Sequence, residues 1–297
     1  MPETFVVPAR QGEVIDAVML ISTAELNDLL QQPDVVIFDC RHDLTDPESG
    51  LKRFTESHIA GAQFAGVDTD LSGAKNGTNG RHPLPPPSAF AAFLERGGVS
   101  ASTRVFAYDD VGGQYAARLW WMARWIGFDG VRVLDGGWPK WLAEHRPVTA
   151  ETTTPVAGQL SINVDESMVL TTDDVVANLA EGAQLVIDAR APARYRGEVE
   201  PLDPVAGHIP GAANRFFQDN LQTDTSFRPA SELAEAFSRI LGDRKPATVI
   251  HQCGSGITAC ANLLAMEHAG LTGSKLYAGS WSEWVADPSR PVATGSR

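Results

Sequence analysis

Short β-branched apolar runs alternate along the chain with stretches of helical length. Val249–Ile250–His251–Gln252 is one such run and predicts a buried strand. It ends at Cys253, and the loop Gly254–Ser255–Gly256–Ile257–Thr258 follows. The apolar stretch 259–269 then predicts a helix. Val105–Phe106–Ala107–Tyr108–Asp109 has the same pattern in the other half of the chain. Strands alternating with helices imply an α/β fold with a mainly parallel sheet.

The pattern occurs twice. Asp39–Cys40–Arg41 precedes His58–Ile59–Ala60–Gly61–Ala62, and Asp188–Ala189–Arg190 precedes His208–Ile209–Pro210–Gly211–Ala212. Leu134–Asp135–Gly136–Gly137–Trp138 corresponds to Tyr277–Ala278–Gly279–Ser280–Trp281. A unit of this size is too long for a solenoid repeat, so the chain is a duplicated domain. The predicted division is a first domain over 18–147, a linker over 148–167 and a second domain over 168–292. The first dozen residues read as an extension of the first domain. The segment Leu71–Pro87, full of Gly, Asn and Pro, is long for a compact domain, which often marks function.

The halves differ at one decisive position, where Asp109 stands in place of Cys253. The first half therefore lacks a nucleophile, and Asp109 is expected to cap the following helix. One active centre per chain is expected, in the cleft between the halves. A cysteine at a strand end is often only a small buried hydrophobe. Here, however, loop N–H groups and a helix N-terminus both favour an anion, so the thiol should ionise more easily. Gly254 and Gly256 are expected to free the backbone to aim its N–H groups inward.

Composition narrows the field. A net charge of −13 argues against a nucleic-acid or membrane-surface binder. There is no run of eighteen apolar residues and no secretory pattern at the N-terminus. Three cysteines, Cys40, Cys253 and Cys260, make no disulfide framework and suit a reducing, cytoplasmic setting. Their spacing is not that of metal ligands, and no cofactor is implied. Cys40 and Cys260 are expected in the core. Arg41 and Arg190, in the Asp-x-Arg motifs, are expected to be ion-pair partners within the fold.

Cysteine chemistry has several forms. A phosphatase loop, Cys-x5-Arg, needs an arginine six positions after the thiol, where this chain has Ala259. A papain-type hydrolase needs a histidine facing the sulfur, and His251 lies within the strand. A Cys-x-x-Cys pair is absent. A thiolate held by N–H donors suits attack on sulfur and storage of a persulfide.

Taken together, the two Asp-x-Arg and His-Ile-x-Gly-Ala repeats, Asp109 and the single Cys253 resemble the tandem rhodanese-type sulfurtransferases. Cys-Gly-Ser-Gly-Ile-Thr-Ala resembles the loop of the 3-mercaptopyruvate sulfurtransferases. The resemblance implies two rhodanese-like domains and a small anionic sulfur donor. A thiol, thioredoxin or cyanide would be the acceptor, with no nucleic acid or membrane involved. It implies that Cys253 takes sulfur from 3-mercaptopyruvate, releasing pyruvate. Ser255 would hydrogen-bond the substrate or relay a proton, joined by Asp68 and His82 of the first domain. Gly254, Gly256, Ile257, Thr258 and the anion-binding Arg194 would line the substrate site. A second arginine of the family is missing where this chain reads Glu200–Pro201–Leu202–Asp203. Arg81, Arg196 and Arg215 are candidates to replace it. Two alternatives stay open: a thiosulfate:cyanide sulfurtransferase with an atypical loop, and a persulfide carrier serving a protein partner.

Overall fold

A computed structural model describes residues 19–296, so the N-terminal dozen lies outside the described residues. Each half is built on a five-stranded sheet whose strands are all parallel. The first half contains β1 (Leu20–Ile21), β2 (Val35–Asp39), β3 (His58–Ile59), β4 (Ala62–Phe64), β5 (Arg104–Tyr108), β6 (Val131–Leu134) and β7 (Val148–Thr149). The second contains β8 (Val169–Leu170), β9 (Leu185–Asp188), β10 (Ala213–Asn214), β11 (Val249–Gln252) and β12 (Lys275–Tyr277). The strand orders are β1-β6-β5-β2-β4 and β8-β12-β11-β9-β10, the same topology twice. Continuous apolar runs fit strands covered on both faces, as a parallel sheet requires.

The duplication extends to single atoms. Arg41 and Arg190 each clasp the aspartate two residues before them, with the closest Nη2–Oδ2 distance 2.6 Å in both. Each guanidinium lies over a tryptophan, Trp138 at 4.4 Å and Trp281 at 4.7 Å, and donates to a backbone carbonyl, of Ser57 and Gly207 respectively. The motif histidines are equally matched. His58 and His208 each place Nδ1 2.7 Å from a carbonyl, of Phe54 and Tyr195, and stack on that residue's ring. These motifs are therefore structural, as the sequence predicts for the arginines.

Helices α1 (Thr23–Leu29), α2 (Ser49–Glu56), α3 (Pro87–Arg96), α4 (Ala116–Trp125) and α5 (Gly137–Ala143) belong to the first half. The second half has α6 (Thr172–Glu181), α7 (Pro192–Tyr195), α8 (Ala230–Leu241), α9 (Thr258–His268) and α10 (Ser280–Trp284). Capping boxes start both α1, at Ser22 and Glu25, and α6, at Thr171 and Asp174. Helices α4 and α9 are apolar all round. Nine of ten residues of α4 and eight of eleven of α9 are buried, which places both inside the molecule. They pack against each other, so one apolar core spans both halves, including Phe38, Trp120, Trp121, Val249 and Leu263. Separate clusters around Trp141 and around Trp281 and Trp284 fill the outer sides.

Between the halves, the chain runs along the first one. β7 pairs antiparallel with β3, and the N–H groups of Gly158 and Asn163 donate to the carbonyls of Glu95 and Ile126. No described helix is long and apolar enough to cross a membrane.

Removing one partner of a buried ion pair leaves the other charge uncompensated. Asp39 is fully buried and also accepts the Tyr108 hydroxyl at 2.6 Å. Asp39→Ala is expected to lower stability by about 3–5 kcal/mol. Urea unfolding measures this; an unchanged midpoint and slope would contradict it.

Candidate active site

Strand β11 ends at Gln252, and its last bonds to β9 hold the next residue, Cys253, at the bottom of the cleft. The Cys253 carbonyl accepts from Trp281 N–H, and its own N–H donates to Ser280 Oγ. Its thiol is buried. Two backbone groups reach the sulfur: Gly256 N–H at 3.1 Å and Ser255 N–H at 3.5 Å. Both lie in the loop, so the donors found at Sγ are loop amides rather than the first residues of α9.

The two loop glycines differ in their surroundings. Gly256 has φ +79°, and a Cβ there would stand 2.2 Å from the Ala278 carbonyl oxygen. Gly254 has no left-handed backbone; a Cβ there would meet Arg81 Nη2 at 2.8 Å and Arg194 at 3.5 Å. Its turn does not need glycine, contrary to expectation. The space above it holds the ends of two flexible arginine side chains.

In the first half, the carboxylate of Asp109 fills the matching cradle. Its two oxygens accept from the N–H groups of Val111, Gly113, Tyr115 and Ala116, at 2.7–3.0 Å. The aspartate thus caps the start of α4, as predicted, and shows that this loop design binds an anion.

The long segment between Leu71 and Pro87 crosses to the second half. Arg81 N–H donates to Ser282 Oγ at 3.0 Å, and the Arg81 guanidinium pairs with Asp203. The next residue, His82, is buried and places Nδ1 2.7 Å from Ser255 Oγ. Its Nε2 lies 3.6 Å from Asp68 Oδ1, a charge contact beyond hydrogen-bond range. Lys75 Nζ holds the same carboxylate at 2.9 Å. Burial works against the Asp68 charge, but the hydrogen bond and charge of Lys75 outweigh it and hold the carboxyl below its usual range. Burial, helped by the charges of Arg118, Lys75 and Arg81, pulls His82 down to about 3 against the pull of Asp68. The imidazole is therefore neutral at working pH. His42 Nε2 is 3.8 Å from Asp68, and His42, Asp68 and His82 place their ligand atoms within 4.8 Å of one another. A cation there would face the Lys75 ammonium.

A cavity of about 210 Å³ opens beside Cys253. It is lined by Arg81, Arg190, Arg194, Gly254, Ser255, Ile257 and Thr258, with Leu44, Tyr115, Leu202, Phe216 and Phe217 supplying apolar surface. Of the three arginines proposed to replace the missing one, the structure brings only Arg81 here. Arg196 pairs with Glu198 on the surface, and Arg215 binds Asn220 and lies over Phe237. Arg190 lines this cavity as well as bracing the fold, which the motif alone did not indicate.

Two half-matching domains, one cysteine in an amide cradle and one aspartate in its twin agree with comparisons against known proteins. The rhodanese-like domain matches twice, over residues 22–144 and 171–287. The chain belongs to the rhodanese-like domain family. It is 43% identical over 283 residues to a Pseudomonas aeruginosa protein named "Probable 3-mercaptopyruvate sulfurtransferase", covering 95% of this chain and all of that one. It is 35% identical over 253 residues to human 3-mercaptopyruvate sulfurtransferase, covering 82% of this chain and 83% of the human one. The crystal structure of the Escherichia coli 3-mercaptopyruvate sulfotransferase SseA aligns with a TM-score of 0.77 and 29% identity, over 90% of this chain and all of that one. Sulfur transfer is the function of this family, and the chain is a sulfurtransferase.

Several residues of this rhodanese site were missed in the sequence. Arg118 is completely buried and donates to three carbonyls, those of His82 at 3.1 Å, Gly256 at 3.2 Å and Leu71 at 3.4 Å. An arginine inside the apolar run Ala116–Ala123 was the available signal. Cys260, expected as core packing, is buried and also donates to the Gly256 carbonyl at 3.3 Å, with burial pushing its thiol up to about 12. Glu200 and Asp203 hold the cavity arginines, although their segment was read only as lacking an arginine.

His82 sets a pH dependence. Its pKa is depressed from 6.5 to about 3 on folding, so the unfolded chain binds a proton the native state refuses. Stability therefore falls as pH drops from about 6.5 towards 3, and this group contributes about 1.4 kcal/mol per pH unit. His251, buried and pulled to about 3, adds to the same slope. His82→Gln is expected to flatten the slope by about one proton. Urea unfolding between pH 7 and pH 5 measures it, and an unaltered slope would show His82 to be protonated in the native state.

Proposed function

We propose that the sulfur donor is 3-mercaptopyruvate, and that Cys253 carries its sulfur as a persulfide to a thiol, thioredoxin or cyanide acceptor. The observation that carries this reading is the chain of Ser255 hydroxyl, His82 and Asp68 beside the thiol. Thiosulfate leaves as sulfite and needs no proton on departure. Mercaptopyruvate leaves as a carbon-centred enolate, which must take a proton at C3. A hydroxyl next to the nucleophile and backed by a neutral imidazole provides that route.

The step balances without a cofactor. The Cys253 thiolate attacks the donor sulfur, an S–S bond forms, and the C–S bond breaks with its electron pair passing to carbon. The proton of the donor thiol passes to C3 through the Ser255 hydroxyl, which His82 holds in place, giving pyruvate and a persulfide anion. Ser255 and Gly256 N–H groups, aimed at Sγ, hold charge at the sulfur as it builds up. Arg194 and Arg81, over Gly254, bind the donor carboxylate. The acceptor then removes the outer sulfur and restores the thiol.

Cys253→Ser is expected to abolish turnover and to gain no sulfur atom in intact mass spectrometry. Ser255→Ala is expected to lower kcat with mercaptopyruvate by about 10²-fold, with less effect on turnover of thiosulfate. A wild-type kcat/KM higher for thiosulfate than for mercaptopyruvate overturns this reading. Arg194→Ala is expected to raise the KM for mercaptopyruvate roughly ten- to a hundredfold, the worth of a charged hydrogen bond. An unchanged KM would remove Arg194 from the donor site.

A further inference from the structure

The cavity arginines are already neutralised from behind. Arg194 Nη2 lies 2.6 Å from Glu200 Oε1 and 3.2 Å from Asp203 Oδ2. Arg81 pairs with the other oxygen of Asp203, across the cleft between the two halves. Arg190 binds Asp188 and reaches Glu200 Oε2 at 3.3 Å. Glu200 and Asp203 are themselves 3% exposed, so little water screens them. The three guanidiniums line the cavity and the three carboxylates do not. Arg194 gives Nε and Nη2 to the acids and Arg81 gives Nη1, which leaves Arg194 Nη1 and Arg81 Nη2 over Gly254, whereas every nitrogen of Arg190 already has a partner. Three positive and three negative formal charges cancel. What remains for a ligand is guanidinium hydrogen bonding and the amide dipoles of the loop, with no net charge.

We propose that Asp203 is the residue that sets the charge preference of this pocket. Bridging Arg81 and Arg194, it makes the site accept a monoanion, with one carboxylate, ahead of a dianion. The inference deepens the reading of the cavity as the donor site and rests on it. A neutral site with directional donors can satisfy a single carboxylate. A second negative charge would enter without a matching positive one, at a few ångströms from two buried acids. The Glu200–Pro201–Leu202–Asp203 segment, where a cation was expected, thus has a role of its own. The cation comes from Arg81 of the first half, and the acid that holds Arg81 limits the charge it can offer.

The test uses inhibition of the full-length enzyme by pyruvate, a monoanion, and sulfate, a dianion, alongside kcat/KM for both donors. Asp203→Asn keeps the shape and removes the charge. It is expected to improve sulfate inhibition relative to pyruvate by at least about tenfold, and to raise thiosulfate turnover relative to mercaptopyruvate in parallel. Asp203→Glu, which keeps the charge, is expected to retain the wild-type ratios. If Asp203 only positions the arginines, Asp203→Asn weakens both anions alike and the ratio stands still, which overturns the proposal. Should Asp203→Asn fail to fold, Asp203→Ser carries the same expectation. The underlying reading fails separately, if neither anion competes with the donor in the wild-type enzyme.

Discussion

The site depends on a guanidinium buried without a carboxylate. Arg118 leaves α4 of the half that lacks the nucleophile and spends its donors on carbonyls. One belongs to His82, one to Gly256 and one to Leu71, so a single side chain ties the crossing segment to the cysteine loop. Gly256 is the residue where these contacts meet. It sits between two peptides: the carbonyl on its C-terminal side is held by Arg118 and Cys260, and the N–H on its N-terminal side points at Cys253 Sγ. Such a charge is expensive to bury, and it is tolerated because every partner is a fixed dipole in the core. Arg118 and Cys260 are the third residues of α4 and α9, equivalent places in the two halves, and they converge on the same carbonyl oxygen.

From this constraint the division of labour follows. The second half supplies the thiol, the amides and Arg194. The first supplies His82 and Arg81 from the crossing segment and Asp68 from just before it. The shared apolar core explains how residues from two units keep hydrogen-bond distance: α4 and α9 pack directly, so the halves cannot shift without disturbing buried tryptophans. The acidic surface of the molecule does not reach the cavity arginines, whose charges are balanced locally by Glu200 and Asp203.

What the sequence makes legible is local. Repeated motifs announce the duplication because Asp-x-Arg and His-Ile-x-Gly-Ala each make a contact within a short span, and the same chemistry was kept twice. Cys253 stands out because a strand, a glycine loop and a helix are adjacent in the chain. His82 and Asp68 were proposed through likeness to a family, since nothing in their spacing says that the imidazole meets a residue 173 positions away. Arg118 and Asp203 were not found. Their roles come from surfaces that meet only in three dimensions, and a lone arginine or aspartate has no period to betray it. Gly254 was read as a turn residue, but the ends of two arginines from distant segments lie over it.

The Asp109 loop is closed on itself. Five residues separate Asp109 from Tyr115, the residue before α4, whereas three separate Cys253 from Ile257 before α9. The longer loop is folded tightly around its own carboxylate, and a Cβ on Gly112 would collide with Leu221 of the other half. A cysteine placed at 109 would therefore find its amides spaced for two oxygens rather than one sulfur. The first half's cradle is a keystone: its amides are taken up by a side chain of their own loop, which no ligand can displace.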